Sequence, residues 1–252
     1  MPLNLSGMNL IYLNVKIMLI NKVNNLILPN TLRFIDASVC KINYIPSNIE
    51  NVKSIEHLVL GHNNIKNIAL NNLSSLKNLT ALYLAGNRVE NFYIDNNIKL
   101  KILDLQNNRL EDIPLNVFFL AHLVRLDLSE NNIKIVSKHI KLLFNLKRLK
   151  INTNAITNID LSNMMLTHLI IYDNDITNLI LPPTINLLCI NNNKIEDFTF
   201  LTSLNNLFDL IIDNDQHLKI NLLNLQNTTS IHVIKDIDEL QHDIKYQIIN
   251  NE

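Results

Sequence analysis

Leu123-Val124-Arg125-Leu126-Asp127-Leu128-Ser129-Glu130-Asn131-Asn132-Ile133 is the stretch that decides the fold. Its apolar residues fall at slots 1, 4, 6 and 11 of a short frame, with Asn at slot 9. Slots 4 and 6 are two apart, so Leu126 and Leu128 point to one side of a strand while Arg125 and Asp127 point to the other. A strand this short cannot bury its apolar side alone, so it must stack on copies of itself. Beyond Leu128 the chain must turn sharply. The Asn131 carboxamide carries both donors and acceptors for the backbone of that turn.

Copies are present in both directions. The frame returns as Ile55, Leu58, Leu60, Asn63, Ile65; as Leu79, Leu82, Leu84, Asn87, Val89; and as Leu100, Leu103, Leu105, Asn108, Leu110. After the central copy come Leu146, Leu149, Ile151, Asn154, Ile156; Leu166, Leu169, Ile171, Asn174, Ile176; and Ile185, Leu188, Ile190, Asn193, Ile195. An earlier copy begins at Leu32, with Cys40 in the Asn place, and a later one at Leu207, with Asp215 there. Asn occurs 44 times in 252 residues, an excess that an AT-rich genome would produce. Such a bias does not place Asn at the same slot in seven consecutive copies, an alignment with a chance on the order of one in a few hundred thousand.

The pattern LxxLxLxxNxL resembles the leucine-rich-repeat signature from about Leu10 to Asp215, in the short form seen in intracellular proteins. The resemblance implies an α/β right-handed solenoid with a curved parallel sheet on its concave face. Successive copies start 19 to 24 residues apart, too close for a full crossover helix in most repeats. Short 3₁₀ or extended segments are therefore expected on the convex side, with brief helical turns at Leu70–Leu79 and Val136–Leu146. About ten copies would give an arc roughly 50 Å long.

The ends depart from the frame. Residues 1–31 are read as an N-terminal cap with one or two degenerate repeats, 32–230 as the repeats and 231–252 as a C-terminal capping helix. Ile237, Leu240, Ile244 and Ile248 have helical spacing, and such a cap would cover the apolar end of the stack. No Lys or Arg precedes Lys16, and Asn14 and Lys16 interrupt the first apolar stretch, so no secretory signal is read. The expected location is cytoplasmic, or the cytoplasm of a host cell for a parasite or virus. No membrane span is expected, because no uninterrupted apolar stretch reaches the required length.

Composition narrows the function. The formal net charge is -1, so no global positive field favours nucleic acid. Three glycines leave no phosphate-cradling loop, and two cysteines leave neither a disulfide scaffold nor a four-Cys zinc site. His57 and His62 share one repeat but occupy variable slots, and no metal-ligand spacing appears among the eight histidines. No cofactor, metal or catalytic residue is expected.

What remains is the concave face, onto which slots 3, 5 and 7 project. Arg125, Arg148 and Lys150 cluster there beside Asp104 and Asp127, with His168 adjacent and Tyr83 and Tyr172 flanking the charged middle. Tyr and Arg are enriched at binding hot spots. Ile102, Ile170, Leu187 and Ile211 are expected as exposed apolar residues on the same face. The expected function is a non-enzymatic module that binds a protein or peptide on this face, as a monomer. Alternatives are a regulatory subunit of a phosphatase, suggested by a weaker resemblance to protein phosphatase 1 regulatory subunits, and a substrate-recognition adaptor such as one for a ubiquitin ligase. A secreted adhesion or decoy receptor is a third.

Overall fold

The computed structural model describes residues 3–18, 23–68, 73–94, 99–213 and the backbone of 230–234. The strands are β1 (Tyr12–Asn14), β2 (Phe34–Asp36), β3 (His57–Val59), β4 (Asn67–Ile68), β5 (Ala81–Tyr83), β6 (Asn91–Phe92), β7 (Ile102–Asp104) and β8 (Arg125–Asp127). They continue with β9 (Arg148–Lys150), β10 (Asn158–Asp160), β11 (His168–Ile170), β12 (Asn178–Ile180), β13 (Leu187–Cys189), β14 (Asp209–Asp213) and β15 (Ser230–Ile234). Eleven of them form one parallel sheet in the order β1-β2-β3-β5-β7-β8-β9-β11-β13-β14-β15.

The register is set by the slot-4 residue of each repeat. Leu13, Ile35, Leu58, Leu82, Leu103, Leu126, Leu149, Leu169, Leu188 and Leu210 lie opposite one another in sequence. From Ile35 onward all of them are buried in one continuous core. Each buried Leu contributes about 1.5–3 kcal/mol relative to an exposed one. A one-residue slip would turn the whole column to solvent, so the register is strongly specified.

The turn after each strand is strained and held. Slot 8 has a positive φ in every described repeat: Ile17, Val39, His62, Gly86, Asn107, Glu130, Thr153, Asp173 and Asn192, with φ between 50° and 68°. This left-handed conformation costs an L-residue roughly 1–2 kcal/mol, and more for β-branched Val39 and Thr153. Only Gly86 escapes that cost, and a Cβ there would also meet the His62 ring 2.5 Å away. The geometry persists because it keeps the parallel ladder running: the slot-8 N–H of Gly86 reaches Gln106 O at 2.9 Å, and that of Glu130 reaches Asn152 O at 2.9 Å.

The slot-9 Asn supplies the rest. Asn131 Nδ2 donates to Leu105 O and Leu128 O at 3.0 and 3.1 Å, and its Oδ1 accepts the Leu110 N–H at 3.0 Å. One carboxamide thus ties the end of its own strand to the strand end and the slot-11 amide of the preceding repeat. The same set recurs at Asn87, Asn108, Asn154, Asn174 and Asn193. Asn63 Oδ1 accepts two amides, from Cys40 and Ile42. Cys40 keeps the column going with its thiol, which donates to Val15 O at 3.1 Å.

The convex side holds short pieces, as the repeat length requires. Among the described residues there are 3₁₀ turns at Leu115–Phe119, Lys138–Leu142 and Thr199–Ser203 and an α-helical turn at Ser47–Glu50. Two small parallel pairs, β4 with β6 and β10 with β12, supply the extended segments. The helical turn expected in Val136–Leu146 is the second 3₁₀ turn. Of the one expected in Leu70–Leu79, residues 69–72 lie outside the described set and the remainder is mostly turn.

At the N-terminal end, Tyr12–Asn14 pairs in register with Phe34–Asp36 as the first strand of the sheet, so residues 1–31 include a repeat strand. At the other end an expectation is corrected. Residues 231–234 are not the start of a helix. They belong to β15, which pairs with β14 through five residues, and 235–252 lie outside the described residues.

Asn131→Leu is expected to destabilise the fold by about 1–3 kcal/mol, because it leaves the Leu110 amide and two strand-end carbonyls unpaired in the interior. Exposed Asn132→Ala should stay within about 0.5 kcal/mol of the parent. Urea unfolding of both variants checks the pair.

Candidate partner-binding face

Slots 3 and 5 open and close each short strand, so their side chains stand on the concave face in columns one strand apart, about 4.8 Å. Arg125, Arg148 and His168 are direct neighbours in the slot-3 column. Asp104, Asp127 and Lys150 are direct neighbours in the slot-5 column. Tyr83 lies beside Asp104. Tyr172 follows Ile170 at slot 7. All eight side chains singled out in the sequence are half-buried, and the fold brings seven of them into one contiguous patch with Tyr172 at its border.

Lys150 Nζ lies 3.7 Å from Asp127 Oδ2. Each Asp also accepts the backbone N–H two residues on, Asp104 from Gln106 and Asp127 from Ser129, both at 3.0 Å. These bonds hold the carboxylates in place along the turn. Burial, reinforced by repulsion from Asp127, pushes the Asp104 carboxyl up to about 6, against the pull of the Gln106 amide and Lys150. Burial also lowers the His168 pKa, helped by Arg148 and Arg125 and opposed by Asp209. Its ring nitrogen Nδ1 lies 2.8 Å from Thr167 Oγ1.

The ends of the face differ from its middle. At the N-terminal end the rings of Tyr12 and Phe34 stack with centroids 4.6 Å apart, and His57 follows Phe34 at 6.0 Å. This aromatic column continues the slot-3 line into the two repeats that lack Asn at slot 9. Phe34 stood two residues after Leu32, in a copy that was recognised, so its slot was available. His57 and His62 do not act as a pair: His57 faces Phe34, and the His62 ring covers Gly86.

At the other end an expectation is overturned. Ile170, Leu187 and Ile211 are buried, and with fully buried Cys189 they form a separate apolar cluster against which Tyr172 packs. They shield one another because their columns are adjacent: Leu187 pairs with Asp209 and His168, and Cys189 with Ile170 and Ile211. Ile102 is only half-buried. Burial raises the Cys189 thiol pKa, and the thiol donates to Asn191 Oδ1 at 3.0 Å. Burial likewise pushes the Tyr172 hydroxyl up to about 12. Slot 7 is closed in the middle too, where buried Ser129 donates to buried Asn152 at 2.7 Å.

Among the described residues no group of three or more His, Cys, Asp or Glu could hold a metal ion, and no helix is long and apolar enough to cross a membrane.

A sequence model of the family described as leucine rich repeat matches residues 46–89 and 98–156. No curated protein matches the chain. Among solved structures, a leucine-rich-repeat protein of Leptospira interrogans is 23% identical with a TM-score of 0.64, over 82% of this chain and 63% of that one. A chain of the LRIM1/APL1C complex is 20% identical with a TM-score of 0.67, over 81% of this chain and 40% of that one. Internalin C2 of Listeria monocytogenes is 24% identical with a TM-score of 0.57, over 75% of this chain and 83% of that one. The chain thus spans less than two thirds of the length of the first two. At these identities the likeness is one of fold.

The raised Asp104 pKa has a signed consequence. A folded carboxyl that titrates near 6 holds its proton where the unfolded chain, near 4, has lost it, so the fold loses stability as pH rises through that window. Asp104→Asn keeps the acceptor for the Gln106 amide and removes the charge. The variant is expected to be more stable than the parent at pH 8 and no more stable at pH 4, as read by thermal unfolding at both values.

Proposed function

Because the chain is a leucine-rich-repeat protein, we propose that it is a non-enzymatic interaction module whose concave face holds a protein or peptide partner. Solenoids of this kind use their extended concave surfaces for binding. The observation that carries the reading is the patch itself: Tyr83, Asp104, Arg125, Asp127, Arg148, Lys150 and His168 stand on five consecutive strands of one sheet, half-exposed, between an aromatic end and a closed apolar end. Side chains fixed by the strand ladder lose little freedom on binding, which lowers the cost of association.

The reading extends to the setting. A regulatory subunit or a substrate-recognition adaptor would each use this same surface, so both are instances of the proposal. Two free, buried thiols are compatible with a reducing compartment, and cytoplasmic action as a monomer belongs to the proposal.

Affinity capture from a lysate with the parent, a Tyr83→Ala/Arg148→Glu variant and a convex Lys138→Glu control tests it. Partners that survive Lys138→Glu and vanish with the concave double variant are the expected result. Partners retained by the double variant would move the site off this face. A circular-dichroism melt of each variant separates lost binding from lost fold.

A further inference from the structure

The 3₁₀ turns before β8 and β9 divide their apolar side chains between two sides. Phe118 is buried, with the His139 ring 6.0 Å away, whereas its neighbour Phe119 stays outside. Ile140 and Leu143 are buried in the next repeat, whereas Leu142 and Phe144 are not. Phe119 is 56% exposed, Leu142 46%, Phe144 58% and Met165 50%, so the core leaves about half of each side chain in water. These four are neighbours. Phe119 and Leu142 each stand four residues before slot 1, at Leu123 and Leu146, and so hold the same place in adjacent repeats. Asn145 Nδ2 donates to Ala121 O at 2.7 Å, which ties the segment of Phe144 to the one after Phe119. Lys147 Nζ donates to Met165 O at 3.2 Å, which brings Met165 alongside. Together they make a contiguous apolar strip on the side from which the chain enters the strands.

The charge around the strip has one sign. Lys99 and Lys101 bracket Leu100, and Lys147 follows Leu146, all on the same entry side. Lys101 and Lys147 lie two strands apart with Val124 between them: the Val124 N–H donates to Lys101 O at 2.8 Å and the Lys147 N–H to Val124 O at 2.9 Å. No Asp or Glu occurs in residues 113–126, 131–159 or 161–172, although the whole chain has a net charge of -1. Lys141 is met by Asp160 at 2.7 Å and is not counted. Exposed Phe, Leu and Met beside Lys is the composition of a surface that lies in the interface of an anionic bilayer. Protein interfaces are enriched in Arg and depleted of Lys, and a nucleic acid would leave Leu142 and Met165 uncovered. We propose that this flank docks on an anionic lipid surface, with Phe119, Leu142, Phe144 and Met165 entering the boundary between headgroups and acyl chains. Lys99, Lys101 and Lys147 lie over the headgroups, their flexible stems keeping each ammonium in water beside the lipid charges. The flank lies outside slots 3 to 7, so docking leaves the concave face open to a partner, and the proposal does not depend on that face.

Vesicle flotation of the full chain tests it. The parent is expected to bind phosphatidylcholine vesicles that contain about 30% phosphatidylserine at least about tenfold better than phosphatidylcholine alone. Phe119→Ser/Phe144→Ser and Lys101→Gln/Lys147→Gln are each expected to weaken that binding about tenfold or more. Ile180→Ser removes an apolar side chain that is 45% exposed elsewhere, and should leave binding within about twofold. A circular-dichroism melt of each variant separates lost binding from lost fold. The chain contains no Trp, so Phe144→Trp introduces a single reporter at the strip itself. Its emission is expected to move to the blue and to be quenched by brominated lipid in the anionic vesicles. No flotation, equal flotation with both vesicle types, flotation that ignores the Phe119→Ser/Phe144→Ser variant, or an emission that no vesicle changes would each overturn the proposal. So would an emission from Phe144→Trp that responds to poly-glutamate and not to vesicles, which would assign the flank to an acidic polypeptide.

Discussion

The turn that follows each strand is the constraint on which the rest of the structure depends. A parallel sheet with about twenty residues between strands must reverse the chain immediately, and this protein does so by placing slot 8 in the left-handed region in all nine described repeats. One residue there is Gly; others include Val39, Thr153 and Glu130, which pay for that conformation. The strain is sustained because the Asn of slot 9 satisfies carbonyls and an amide of two repeats at once. A hydrogen bond nets only about 0.5–1.5 kcal/mol, but leaving its buried partners unmet costs more. The Asn column is therefore less a source of stability than the condition that makes a buried turn tolerable.

Once the turns are fixed, the face follows. The strands are three residues long, so slot 4 is buried and slots 3 and 5 face the concavity in columns. Neighbouring columns then decide what is exposed. Where they carry Ile170, Leu187, Cys189 and Ile211, the side chains close over one another and the face is sealed. Where they carry Arg, Asp and Lys, the long or charged side chains stay half-exposed. Aromatic rings at the opposite end stack along the same line. One repeating backbone thus produces a surface of three characters, and the middle one combines exposure with clustered charged side chains.

This division explains what was legible in the sequence. The core, the parallel stacking and the Asn column follow from a period and from residue chemistry, and Leu126, Leu128 and Asn131 alone contain the argument. The seven-residue charged patch was legible for the same reason, since slot number dictates direction. The left-handed slot was not, because Thr153 and Val39 carry no turn signature; the conformation is imposed by the strands on either side. Nor was the burial of Ile170 and Leu187, which depends on which side chains stand beside them in the next column. Tyr12 was missed because its repeat lacks the Asn that marks the frame; Phe34 stood in a recognised copy, and its slot was legible. At the far end, the helical spacing of Ile237 to Ile248 outweighed the strand-like alternation of Ile231 and Val233, although that alternation was equally present.

Native-state hydrogen exchange at the slot-11 amides tests the central claim most directly. Ile65, Val89, Leu110, Ile133, Ile156 and Ile176 lie beyond the strands, yet each amide donates to the Asn Oδ1 of the next repeat. These six amides should exchange as slowly as those of the strands, through the same cooperative opening. Exchange at the rate of exposed turn amides would mean that the carboxamides do not hold the turns, and that the solenoid is built on something else.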